Sequence, residues 1–97
     1  MTVLAKTRLR DRVLSGHGTL MSQCLETGLP VASSCSGRGA CGRCAVSVLQ
    51  GMESLSRPGT HEQLVLFRNG FPGDVRLSCQ CRVMDRRAEV QITTGYW

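Results

Sequence analysis

Six cysteines, at 24, 35, 41, 44, 79 and 81, are the residues of this 97-residue chain best equipped for chemistry. Three of them fall within CSGRGACGRC, residues 35–44, spaced C-x5-C-x2-C with three glycines and two arginines between them. Thiols spaced this way can begin a zinc site, an iron–sulfur site or a disulfide knot. A structural zinc site usually pairs two two-ligand knuckles. Cys41 and Cys44 make one, and the chain has no second. His17 and His61 stand 44 residues apart and read as surface histidines rather than ligands. The first twelve residues, MTVLAKTRLRDR, carry their charges after a short apolar patch, the reverse of a secretory signal. Without such a signal a disulfide framework is the weaker reading, because cytosolic thiols stay reduced.

An iron–sulfur site explains more. Three thiolates from one loop and a fourth from a distant segment form the C-x4-C-x2-C…C arrangement that holds a [2Fe–2S] cluster. Here the first gap is one residue longer, and Cys79 follows Cys44 after 34 intervening residues. A loop wrapping a bulky anionic group must turn its amides inward. Gly37, Gly39 and Gly42 permit the backbone angles and close approach that this requires. Ser36 and Ala40 add little bulk.

The elements that must position these thiols are short. TVLAKTRL (2–9) and RVLS (12–15) read as strands, with Val3 and Ala5 on one side of the first. Thr19 caps a helix over LMSQCLET that Gly28 ends, and Leu20, Met21, Cys24 and Leu25 share its apolar face. AVSVLQ (45–50) alternates cleanly around Val46 and Val48, and Gly51 closes it. Thr60 and Gln63 fit a capping box for a helix through about Phe67. VRLSCQCRV (75–83) reads as one strand with Val75, Leu77, Cys79, Cys81 and Val83 on a common side. AEVQIT (88–93) is the last. Residues 1–97 are expected to form a single α+β domain, a small sheet with a helix packed on it.

SCSGRGACGRCAVSVLQG and RLSCQCRV resemble the [2Fe–2S] ferredoxins of β-grasp fold, and the C-x5-C-x2-C spacing is closest to the adrenodoxin-like subgroup. The resemblance implies a mixed sheet, a cluster-binding loop, and a cluster held by Cys35, Cys41, Cys44 and Cys79. It favours Cys79 over Cys81 because RLSCQ matches the family's fourth-ligand segment. It also implies a one-electron carrier working between a reductase and an acceptor enzyme, without substrate chemistry of its own. A redox sensor that binds a partner according to cluster oxidation state would use the same ligands.

Charge departs from the family pattern. Adrenodoxin-like carriers are typically acidic, whereas this chain has a formal net charge of +5. Its stretch 52–74 sets Glu53, Glu62 and Asp74 against Arg57 and Arg68. Redox partners with an acidic docking surface are therefore expected, approaching Arg38 and Arg43 beside the cluster. A zinc-stabilised nucleic-acid binder is a poor reading, because the sequence shows no second knuckle and no basic–aromatic stripe of the kind single-strand binders use, and no apolar run is long enough for a membrane span. A cytoplasmic monomer is the expectation. Cys24 and Cys81 read as small buried apolar residues, and Tyr96 and Trp97 as terminal packing.

Overall fold

A computed structural model describes residues 2–31, 43–85, 87–95 and 97. Five strands, β1 (Thr2–Ala5), β2 (Arg12–Leu14), β3 (Ala45–Gln50), β4 (Val75–Leu77) and β5 (Glu89–Thr93), form one sheet. Their order is β2-β1-β5-β3-β4. β1 and β5 run parallel, and the other neighbouring pairs are antiparallel, so the sheet is mixed. Two helices, α1 (Leu20–Glu26) and α2 (Thr60–Arg68), and short 3-10 turns at Met52–Ser54 and Ser78–Gln80 complete the described elements.

Alternation decides which face of the sheet is covered. Val3 and Ala5 of β1, Val46 and Val48 of β3, and Val90 and Ile92 of β5 are all buried. They pack with Leu14, and with Leu20 and Cys24 of α1. Burying an aliphatic side chain of this size contributes about 1.5–3 kcal/mol, so this layer is the main core. α1 begins where Thr19 accepts a hydrogen bond from the Ser22 N–H at 3.2 Å and stops before Gly28, which adopts φ +84°. Gly51 ends the β3 segment at φ +89°, and a Cβ there would lie 2.5 Å from the Glu89 carbonyl oxygen. Only glycine fits so near a neighbouring strand.

Four expectations are corrected. The first strand ends at Ala5, since Thr7 and Arg10 bond to each other in a tight loop. Gln23, not Leu25, completes the buried face of α1; Leu25 is half exposed. The Gln23 side chain accepts from the Gly16 N–H at 3.0 Å and donates to the Gly18 carbonyl at 3.2 Å, which satisfies it in the core. Gly59, not a Thr60 capping box, precedes α2. The Gln63 side chain donates to the Pro58 carbonyl instead. Finally, the strand expected over 75–83 ends at Leu77, and Ser78–Gln80 turns as a 3-10 segment.

Candidate metal centre

The register of β3 on β4 explains how two distant cysteines meet. Ala45 pairs with Leu77, so Cys44 and Ser78 stand together just beyond the end of that ladder. The Ser78 hydroxyl and N–H both donate to the Cys44 carbonyl, at 2.7 and 3.2 Å. These bonds turn the chain out of strand geometry and swing Cys79 towards Cys44. Their Sγ atoms lie 3.2 Å apart, both buried. The Gln80 side-chain amide lies 3.6 Å from the Cys79 Sγ and donates to it.

Around the pair lies a small apolar group of its own, with Leu77 and Val65 buried and Met21, Val31, Ala45 and Leu66 packed against it. Behind that group sits an ion pair. Arg76 donates to both carboxylate oxygens of Glu62 on α2, at 2.7 and 3.0 Å, and the Leu77 N–H donates to the same carboxylate at 3.1 Å. Both side chains are almost wholly buried. Burial works against the Arg76 charge, but the Glu62 hydrogen bond and nearby negative charge hold its pKa above the ordinary value. Glu62 thus fixes the backbone of β4 two residues before Cys79.

Cys79 and Cys81 do not share a side. Cys81 belongs to the main core with Val3, Leu20 and Ile92, and its carbonyl accepts from the Leu20 N–H at 2.9 Å. Strand-like backbone resumes at Cys81, with bridges from Arg82 to Thr19 and from Val83 to Leu55. Burial pushes the Cys81 thiol up to about 11 and the Cys24 thiol up to about 12. Both are fully buried, and a thiol kept protonated in apolar surroundings is a poor nucleophile and metal ligand. His17 and His61 are exposed. Cys35, Cys41, Arg38 and the loop glycines lie outside the described residues, as does Tyr96. Among the described residues no group of three His, Cys, Asp or Glu side chains gathers. Trp97 is buried, and its indole N–H donates to the Pro30 carbonyl at 2.8 Å.

The Cys44–Cys79 pair fits an iron–sulfur site. Metal–thiolate bonds of about 2.3 Å at tetrahedral angles place two sulfurs about 3.8 Å apart, only slightly wider than the 3.2 Å observed. Sequence reasoning missed Glu62 and Arg76. Alternation aims Arg76 away from Val75 and Leu77, the expected solvent side, but α2 covers that side.

Comparison with known proteins agrees. The model of a 2Fe-2S iron-sulfur cluster binding domain matches residues 9–84. This chain belongs to that family, and its cofactor is a [2Fe–2S] cluster. The fold is the ferredoxin β-grasp. An ISC-like [2Fe–2S] ferredoxin from Pseudomonas putida superimposes with a TM-score of 0.84 at 20% identity, covering 99% of this chain and 93% of its own. The ferredoxin of Trichomonas vaginalis gives 0.77 at 23% identity, covering 97% and 100%. One component of the Na(+)-translocating NADH-quinone reductase of Chlamydia felis is 31% identical over 84 residues, 86% of this chain. The chain spans only 19% of that relative's length.

Proposed function

We propose that this domain is a one-electron carrier whose single [2Fe–2S] cluster is held by Cys35, Cys41, Cys44 and Cys79, and that it shuttles between a reductase and an acceptor enzyme. The observation that carries the ligand assignment is the approach of the Cys44 and Cys79 Sγ atoms to 3.2 Å across 35 residues of sequence. The cluster supplies a one-electron couple when bound. The chain's own residues do the rest. Leu77, Val65 and their neighbours exclude water on the inner side, and the Gln80 amide donates to the Cys79 sulfur, which favours added negative charge there.

Docking is electrostatic. The formal charge is +5, and an oxidised cluster on four thiolates subtracts about two charges, so the loaded chain stays basic. Arg43 is exposed one residue before Cys44, and Arg38 lies in the same cysteine segment. The partner surface is therefore acidic, the encounter brief, and the carrier a monomer with no substrate chemistry. Among the described residues no helix is long and apolar enough to cross a membrane.

The test is direct. Freshly purified protein is expected to be red-brown, with about two irons and two acid-labile sulfides per chain, and paramagnetic only when reduced. A colourless, folded protein with stoichiometric zinc overturns the reading. Stopped-flow reduction by its reductase is expected to slow as salt rises and the Debye length shrinks from about 30 Å at 0.01 M to about 10 Å at 0.1 M.

A further inference from the structure

Away from the thiols, the loop joining β1 to β2 is built rather than slack. Lys6 and Asp11 close its base at 2.8 Å. Inside, the Thr7 hydroxyl donates to the Arg10 carbonyl, and the Arg10 N–H donates to the Thr7 hydroxyl oxygen at 3.1 Å. The bracing pushes Arg8, Leu9 and Arg10 into solvent, and Leu9 is 96% exposed. Below the tip lies a hollow of about 520 Å³ whose floor includes Pro30 and Trp97 and whose wall includes Arg12.

The electrostatics of this hollow are one-sided. Asp11 is the only acid in the loop, and Lys6 already occupies it. Arg8 and Arg10 have no carboxylate partner among the described residues, and Arg12 reaches only the Thr27 carbonyl, at 3.4 Å. Three guanidinium groups thus surround an apolar floor with a projecting leucine. Guanidinium groups pair best with carboxylates, and an exposed leucine over an apolar hollow rewards an apolar side chain. A nucleic-acid backbone would gain nothing from the leucine. A lipid surface favours projecting apolar groups, but Trp97 is recessed here at 9% exposure.

We propose that this hollow is the docking site for a segment of the redox partner in which carboxylates flank a large apolar side chain. The inference rests on the carrier reading above and gives the acidic partner a particular footprint. The Trp97 indole holds the Pro30 carbonyl at 2.8 Å, and Val31, the next residue, packs against the Cys44–Cys79 group. A segment seated in the hollow is therefore tied to the cluster end of the domain.

Trp97 is the chain's one tryptophan, so its fluorescence reports the hollow directly. The probe is a blocked peptide of sequence Glu-Glu-Leu-Phe-Glu-Glu, titrated into the loaded protein, with its lysine-for-glutamate counterpart as control. The acidic peptide is expected to bind and perturb Trp97, and the basic one is not. Arg8→Glu with Arg10→Glu is expected to weaken binding at least tenfold, and Leu9→Ser several-fold, with the visible spectrum unchanged. Equal binding of both peptides, or indifference to the substitutions, overturns the proposal. So does binding of vesicles with one-quarter anionic lipid in place of the peptide, which would make the loop a membrane contact. If the double variant still accepts electrons from its reductase at the full rate, this footprint is wrong while the carrier reading stands. Loss of the cluster signature in the unaltered protein would instead sink the carrier reading itself.

Discussion

The two buried regions of this domain each enclose a pair of cysteines and treat them differently. In the main core, Cys24 and Cys81 are surrounded by aliphatic side chains of α1 and the sheet. In the smaller group beside α2, Cys44 and Cys79 face each other at 3.2 Å. All four are buried, so burial alone does not mark a ligand. What differs is the approach of one sulfur to another and the polar scaffolding behind it. The main core is closed by alternating strands and one helix. The small group is closed by Ser78 on the Cys44 carbonyl and by Glu62 on Arg76 and the Leu77 N–H.

The sharpest way to break this contrast is to exchange roles between its members. Cys79→Ser is expected to abolish or badly damage the cluster, and with it the visible absorbance. On the proposed ligand set the cluster ties the cysteine loop to a distant segment, so its loss is expected to lower the melting temperature by about 10 °C or more. Cys81→Ser places a hydroxyl in the apolar core and costs about 1–3 kcal/mol, but leaves the spectrum nearly intact. Parallel measurements of absorbance and thermal melting separate the two. A colourless Cys81→Ser protein beside a coloured Cys79→Ser protein reverses the assignment.

The polar scaffold is the next lever. Removing one partner of a buried ion pair strands the other, at a cost of about 3–5 kcal/mol. Glu62→Ala leaves both the Arg76 guanidinium and the Leu77 N–H without the acceptor they share. A destabilisation of that size is expected in denaturant melts of the loaded protein, together with faster bleaching of the cluster. The double variant Glu62→Leu with Arg76→Leu removes the stranded charge and leaves one backbone N–H unpaired, a penalty of about 1–3 kcal/mol. It is expected to be the more stable of the two. If the double variant is worse, the pair contributes more than charge neutralisation.

These two regions also differ in how far the sequence disclosed them. The main core follows local rules: alternation buries Val46 and Val48, Thr19 caps α1, and Gly51 marks the end of β3. The glycine-rich cysteine spacing pointed to the cofactor, while the choice of Cys79 as a ligand rests on the resemblance of RLSCQ to the family's fourth-ligand segment and stays a proposal. The geometry of the small group was hidden because its causes are non-local. Period-two alternation runs unbroken from Val75 to Val83, yet the chain leaves the sheet at Ser78. The reason is the Cys44 carbonyl, 34 residues earlier. Glu62 and Arg76 are 14 residues apart and read separately as surface charges. Gln23 looks polar in a helix and is buried because the Gly16–Gly18 turn satisfies its amide.

The smallest expected effect probes the main core through pH. Cys24 is fully buried, and desolvation pushes its thiol from the ordinary 9.0 up to about 12. Between those values the folded chain keeps the proton while the unfolded chain releases it. The unfolded state then binds fewer protons, so stability falls as pH rises, beginning near pH 9 and ending near pH 12. Below pH 9 both states are protonated and the group adds no pH dependence. The slope is about 1.4 kcal/mol per pH unit, or about 2 kcal/mol between pH 8 and pH 10.5. Cys24→Ala deletes the titrating group, and the Cys81 contribution is common to both proteins and cancels. Denaturant melts across that interval are expected to show the unaltered protein losing about 2 kcal/mol more than Cys24→Ala. Equal losses would mean that the thiolate at position 24 is tolerated when folded, and that water reaches the main core as it does the surface.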